Sequence, residues 1–216
     1  IKLVEDFMKT YGTHVFKRKA GKLKLNPLHG SDLKATCKEA KLPAAGLDQW
    51  STQDFSILGD TAYDWMAEML NKIEAGAKWP EPTLHAKGSY LLKNPEDSGE
   101  PLGYRVLFVT PVAYRRWAAT RLRQSSEWID EWATPDMFAG ISGMSAEEAW
   151  YSTALHLERA RLQGQPATGA SVDIHKCFDQ LVRELVYRIL KEAGCPDEIL
   201  IPYQNYLENL IVHNFV

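Results

Sequence analysis

Between residues 60 and 122 the hydrophobic period of this chain changes twice, and few architectures accommodate that. Ala62, Trp65, Met66, Met69, Leu70 and Ile73 recur at helical spacing, and Gly76 stands where a left-handed residue ends a helix, so the pattern predicts a helix over 60–75. Two short β-type runs follow at 89–93 and 104–109, joined by a loop over 94–103 with two Pro and two Gly. A ribbon of two antiparallel strands is the economical reading. Thr110-Pro111 then has the form of an N-cap with Pro at the first helical position, and Tyr114, Trp117, Ala118, Arg121 and Leu122 continue as a helix with a basic polar side. Helix, ribbon and helix in one stretch predict an α+β, helix-rich fold.

The remaining chain adds helices and one candidate strand. Ser145 and Glu148 have capping-box spacing before a helix over 149–162, which Gly164 and Pro166 end. Residues 168–174 read as a short buried strand. Phe178-Asp179 opens a helix with Leu181, Leu185, Ile189 and Leu190 on one stripe, and a last helix spans roughly 197–212. Residues 1–41 are weakly periodic and read as a basic arm or linker; 42–165 and 166–216 read as two further regions. The sequence opens without Met and ends without a stop signal, which suggests a piece of a longer protein.

Composition excludes several classes. Of 216 residues 45% are hydrophobic and 25% charged, ordinary values for a globular core and unlike a disordered or collagenous chain. No window approaches the roughly 18 apolar residues of a membrane span. Three widely spaced cysteines, Cys37, Cys177 and Cys195, suit reduced structural thiols in an intracellular compartment, nucleus or cytoplasm. The net charge of −3 hides blocks: residues 1–41 carry ten Lys/Arg against four Asp/Glu, and 78–125 carry eight against four. Residues 42–77 and 126–216 are acidic. Two basic blocks on an acidic chain suit a polyanion touching selected surfaces, or equally two solvated faces.

The stretch 171–179, Ser-Val-Asp-Ile-His-Lys-Cys-Phe-Asp, carries the most chemistry. A strand delivering Asp173 at its C-terminal edge, directly before a helix, can present a carboxylate to a hard cation such as Mg²⁺. The plainer alternative has Asp173 satisfying turn amides, with Asp179 as a helix N-cap.

Asp173-Ile174-x-Lys176-x-Phe178-Asp179 resembles the first catalytic motif of reverse transcriptases of the non-LTR retrotransposon and group II intron type. The resemblance is collinear upstream. Tyr90-Leu91-Leu92-Lys93, a loop, Gly103-Tyr104-Arg105-Val106 and then Tyr114 to Leu122 look like that family's fingers segment. The segment 140–149 is similar to the glycine-containing stretch before the next helix, and Ala44-Ala45-Gly46-Leu47-Asp48-Gln49-Trp50 to an early alanine-glycine-leucine-aspartate-glycine signature. The match runs from about residue 42 to 200. Val106 replaces a usual proline, Gln49 a glycine, and Cys177 a small residue. The chain holds no Asp-Asp pair, the dipeptide that completes the family's metal site.

The resemblance implies the fingers and a partial palm of a right-hand polymerase, with a two-stranded fingers ribbon and a palm strand. It implies RNA-templated DNA synthesis by two-metal nucleotidyl transfer, with Mg²⁺ (or Mn²⁺) as cofactor. RNA template, DNA primer, dNTP and the remaining palm and thumb are its implied partners. Asp173 would be the catalytic metal ligand, with the Ile174 backbone carbonyl completing a position. Phe178 would pack against the dNTP sugar, and Lys93 and Arg105 would close on the triphosphate. Arg115, Arg116 and Arg121 would meet nucleic-acid backbone. With half the metal site absent, this chain alone is expected to be inactive. The alternative class is a non-catalytic nucleic-acid-binding module of a decayed or domesticated element. A protein-interaction domain that never meets nucleic acid is the third. No zinc spacing, nucleophile elbow or Gly-x-x-x-x-Gly-Lys phosphate loop is present.

Overall fold

The computed structural model describes residues 2–15, 23–40, 44–100, 103–174 and 177–215. The fold is α+β and helix-rich, with one small mixed sheet. It divides into two compact units. The larger comprises residues 24–124 and 196–216, the smaller 1–23 and 125–195. These boundaries fall elsewhere than the expected 1–41, 42–165 and 166–216.

In the larger unit, α2 (Gly30–Lys38), α3 (Thr52–Ser56), α4 (Asp60–Glu74), β1 (His85–Leu92), β2 (Tyr104–Val109), α5 (Val112–Gln124), α9 (Asp197–Asn209) and β3 (Ile211–Phe215) follow in chain order. Helix α4 occupies the predicted 60–75, but its buried stripe is Tyr63, Met66, Ala67, Leu70 and Ile73. Trp65, expected on that stripe, is 70% exposed. At α4's end Gly76 adopts φ +106°, and the Gly76 and Ala77 amides donate to Ile73 and Lys72 at 3.0 and 2.9 Å. That is the double closure of a Schellman end, where a side chain at C′ is strained.

Part of the basic stretch expected as an arm is core. Leu28, Leu33 and Cys37 are buried with α4's stripe, Trp79, Trp117 and Tyr206. Two local features hold this segment. A Cβ on Gly30 would lie 2.4 Å from an Asp64 carboxylate oxygen and 2.8 Å from the Asp64 amide nitrogen, so only glycine lets α2 start this close to α4. The Asn71 side chain clamps Leu28 from α4, its amide donating to the Leu28 carbonyl at 2.9 Å and its oxygen accepting the Leu28 N–H at 2.8 Å. Asn71→Ala is therefore expected to lower unfolding free energy by about 1–3 kcal/mol, read by urea titration, because a partly buried backbone pair loses both partners.

Trp79 joins the aromatic centre. Its ring meets Tyr114, Trp117 and Tyr206 edge-on at 5.2–5.6 Å, and its indole N–H donates to the Pro202 carbonyl inside α9 at 2.9 Å. The sheet has order β2-β1-β3, with β1 antiparallel to β2 and parallel to β3. The ribbon thus forms as expected, and β1 starts four residues early. The final helix does not run to 212: it stops at Asn209, and 211–215 pair with β1. Ile211 and Val212, inside the span expected as helix, are β-branched residues beside an open strand edge, and pairing outweighs helical continuation there.

The smaller unit holds α1 (Lys2–Val15), α6 (Ser126–Trp132), α7 (Ala146–Leu162) and α8 (Arg183–Glu192). Ser145 caps α7 as predicted, its hydroxyl accepting the Glu148 amide at 3.3 Å. The strand expected over 168–174 does not form. Those residues are irregular and exposed, Val172 at 86% and Ile174 at 64%. A strand needs a neighbour for its amides and carbonyls, and none of the described strands pairs with this stretch. Helix α8 also begins later than expected, at Arg183 with Val182 as N-cap, so Asp179 lies upstream in a 3₁₀ turn over Cys177–Gln180. Amides 168–174 are accordingly expected to exchange hydrogen orders of magnitude faster than those of α4, a difference that exchange mass spectrometry reads directly.

Candidate nucleic-acid interface

The ribbon register decides where its two basic residues stand. Leu91 pairs with Arg105 and Leu92 with Tyr104, and one step on the Lys93 amide donates to the Gly103 carbonyl at 2.9 Å. Side chains alternate faces along each strand, so Lys93, Leu91 and Arg105 share one face. Both basic residues are exposed. A cationic pair on one side of a two-stranded ribbon is suited to a polyphosphate, with Arg offering a bidentate fork and Lys a point charge.

Helix α5 carries the second cationic group. Arg115 and Arg116 line a groove of about 730 Å³ against α2, together with Thr36, Glu39, Ala40 and Arg123. One guanidinium nitrogen of Arg115 donates to the Ala44 carbonyl at 2.7 Å, and one of Arg116 to the Thr36 carbonyl at 2.7 Å. The Nε of each is buried and has no hydrogen-bond partner among the described residues. Burial, and next the adjacent Arg116 charge, lower the pKa of Arg115, while Asp48 opposes the shift. The groove lining sets three arginines, Arg115, Arg116 and Arg123, against one acid, Glu39, an excess of positive charge suited to an anion. Arg123 instead makes an exposed ion pair with Glu39 at 3.0 Å, which salt screens readily.

Arg121 was expected to reach nucleic-acid backbone, and the structure corrects this. It is 3% exposed and forms a bidentate ion pair with Glu74, its Nε donating to Oε1 at 2.7 Å and its NH2 to Oε2. It also donates to the Asn26 carbonyl at 2.9 Å. The Trp117 indole donates to the same Glu74 oxygen at 2.7 Å. Helical phase explains the difference: Arg121 lies one turn beyond Trp117 on α5's buried side, whereas Arg115 and Arg116 face α2.

Asp173, Ile174 and Phe178 belong to the smaller unit. Asp173 is exposed on irregular chain, not presented from a palm strand. Among the described residues no three His, Cys, Asp or Glu side chains gather into a metal-holding group. The donor set, one carboxylate and one carbonyl, does not amount to a two-metal Mg²⁺ site. No catalytic step can be derived through it. Phe178 lies in the 3₁₀ turn, and its side chain falls outside the described residues, as do His175 and Lys176 of the same motif.

The early motif supplies one unexpected fit. Gln49, standing where the resembled signature has glycine, adopts φ +60°, the lone positive φ of a non-glycine residue among those described. Its amide closes a turn on the Gly46 carbonyl at 3.1 Å, and the Asp48 carboxylate accepts the Trp50 amide at 3.3 Å. Gln49→Gly is expected to raise stability by about 0.5–1 kcal/mol, because it relieves a left-handed strain that L side chains carry; thermal unfolding checks it.

Sequence reasoning missed Thr36, Glu39 and Ala40, which wall the groove opposite the arginines. They lie some eighty residues upstream in no recognisable motif, and only the packing of α2 on α5 shows them. No protein-family model matches the chain, and no curated protein matches it.

Proposed function

We propose that this chain is the fingers region and the beginning of the palm of a reverse transcriptase of the non-LTR retrotransposon or group II intron type. The parent would be an RNA-directed DNA polymerase acting on RNA template, DNA primer and dNTP with Mg²⁺. This chain contributes nucleic-acid contact and not chemistry. The observation that carries the reading is the groove between α5 and α2, open to solvent, whose lining sets Arg115, Arg116 and Arg123 against one acid, Glu39. Lys93 and Arg105 on one exposed ribbon face, and the left-handed Gln49 at a glycine position of the resembled signature, support it.

A primer-extension assay on the isolated chain tests the catalytic half of this proposal. No dNTP incorporation is expected, because the chain holds no Asp-Asp pair to complete the site with Asp173; robust incorporation would refute the assignment of this chain as an incomplete site. Asp173, exposed on irregular chain and outside any group of three metal-ligand side chains among the described residues, favours the second reading, a non-catalytic nucleic-acid-binding module. The parent reading frame separates the two: an aromatic-x-Asp-Asp motif downstream belongs to a polymerase.

A further inference from the structure

His85 opens β1 and His213 sits at the middle of β3. His85 pairs with Ile211 in the parallel register, so His213 stands two residues along on the same face of the sheet. The two rings lie 5.1 Å apart at 36°, with His85 Nδ1 and His213 Nε2 only 2.8 Å from each other. On its far side His85 Nε2 is 2.6 Å from the Glu81 carboxylate. An ionised carboxylate only accepts, so His85 Nε2 carries the hydrogen there. In the neutral ring Nδ1 is then a lone pair aimed at His213.

From this geometry we propose that His85 and His213 form a two-histidine binding site for a divalent transition-metal ion of the Zn²⁺ class, joining β3 to β1. Imidazole nitrogen suits Zn²⁺, Cu²⁺ and Ni²⁺. Zn–N bonds of 2.0–2.1 Å at a near-tetrahedral angle require the two nitrogens to stand about 3.3 Å apart. That is about half an ångström wider than the present hydrogen bond, and His213, exposed on an edge strand, can supply it by a small ring movement. His213 accepts the metal on Nε2 by carrying its hydrogen on Nδ1, so the exchange needs no other reactant. Glu81 plays the part of the carboxylate that ligating histidines commonly hold on their second nitrogen, fixing the tautomer and raising ligand basicity. Lys87, the cation on the same face, has its ammonium over the Phe215 ring at 5.5 Å from the centroid. No third side chain of metal-ligand type joins the pair among the described residues, so water fills the other positions. The site lies in the larger unit and does not depend on the polymerase reading.

Calorimetric titration of the 216-residue chain with ZnCl₂ tests it, alongside His213→Gln, Glu81→Gln and Cys177→Ser. One Zn²⁺ per chain is expected, with binding lost in His213→Gln and weakened about 10–100-fold in Glu81→Gln. Cys177→Ser should bind as the unaltered chain does. Equal Zn²⁺ affinity in His213→Gln and the unaltered chain, or no binding at millimolar ZnCl₂, would overturn the proposal. Co²⁺ loading of the unaltered chain provides a reading independent of any variant's folding: visible bands from nitrogen and oxygen ligands support the site, and a thiolate-to-cobalt charge-transfer band contradicts it.

Discussion

Replacing Glu74 with Ala is expected to destabilise the larger unit by about 3–5 kcal/mol, a large fraction of the stability of an ordinary domain. Glu74 accepts from both Trp117 and Arg121, and each of these is nearly inaccessible to water. Removing the carboxylate leaves a guanidinium buried without its counter-ion and an indole N–H without an acceptor. Desolvation makes that loss much larger than the worth of the pair when intact. Replacing both partners with apolar residues of similar volume, Glu74→Met with Arg121→Leu, is expected to recover most of the loss, since a packed apolar pair demands no compensation. Glu39→Ala, which breaks the exposed pair with Arg123, should cost about 1 kcal/mol or less. Urea titration of the three variants reads all of this; a Glu74→Ala chain as stable as the unaltered one would show that the Arg121 side chain is hydrated.

The second large effect concerns binding. The double variant Arg115→Ala, Arg116→Ala is expected to lose about 10–100-fold in affinity for a primer–template duplex near 0.1 M salt, because each phosphate contact contributes up to about tenfold there through counter-ion release. Folding should be little changed, since the hydrogen bonds lost are two, to the Ala44 and Thr36 carbonyls, the first of them exposed. Arg123→Ala should have a smaller effect, its charge being already paired with Glu39. Fluorescence anisotropy of a labelled duplex measures each.

What could be read from the sequence divides along physical lines. Local signals were sufficient for α4, α7 and the ribbon, where periodicity, a capping serine and a Gly/Pro loop act within a few residues. Tertiary context decided the rest. Residues 211 and 212 read as the end of a helix, yet 211–215 form a strand because β1 offers an edge. Residues 168–174 have strand composition and stay irregular for want of a neighbour. The same division holds at the candidate site. Basic residues on α5 were visible as a group, but only packing separates Arg121, neutralised by Glu74 in the core, from Arg115 and Arg116, which open on the groove. Charge counting cannot see which of several arginines already has a carboxylate.

In the proposed function Arg115 and Arg116 hold nucleic-acid phosphate. Measuring duplex affinity of the unaltered chain and the double variant across 50–200 mM KCl tests it most directly, because the slope of log K against log salt counts the phosphates neutralised. A steep negative slope is expected for the unaltered chain and one shallower by about 2 for the variant. Equal slopes, or binding by the unaltered chain that does not respond to salt, would contradict it.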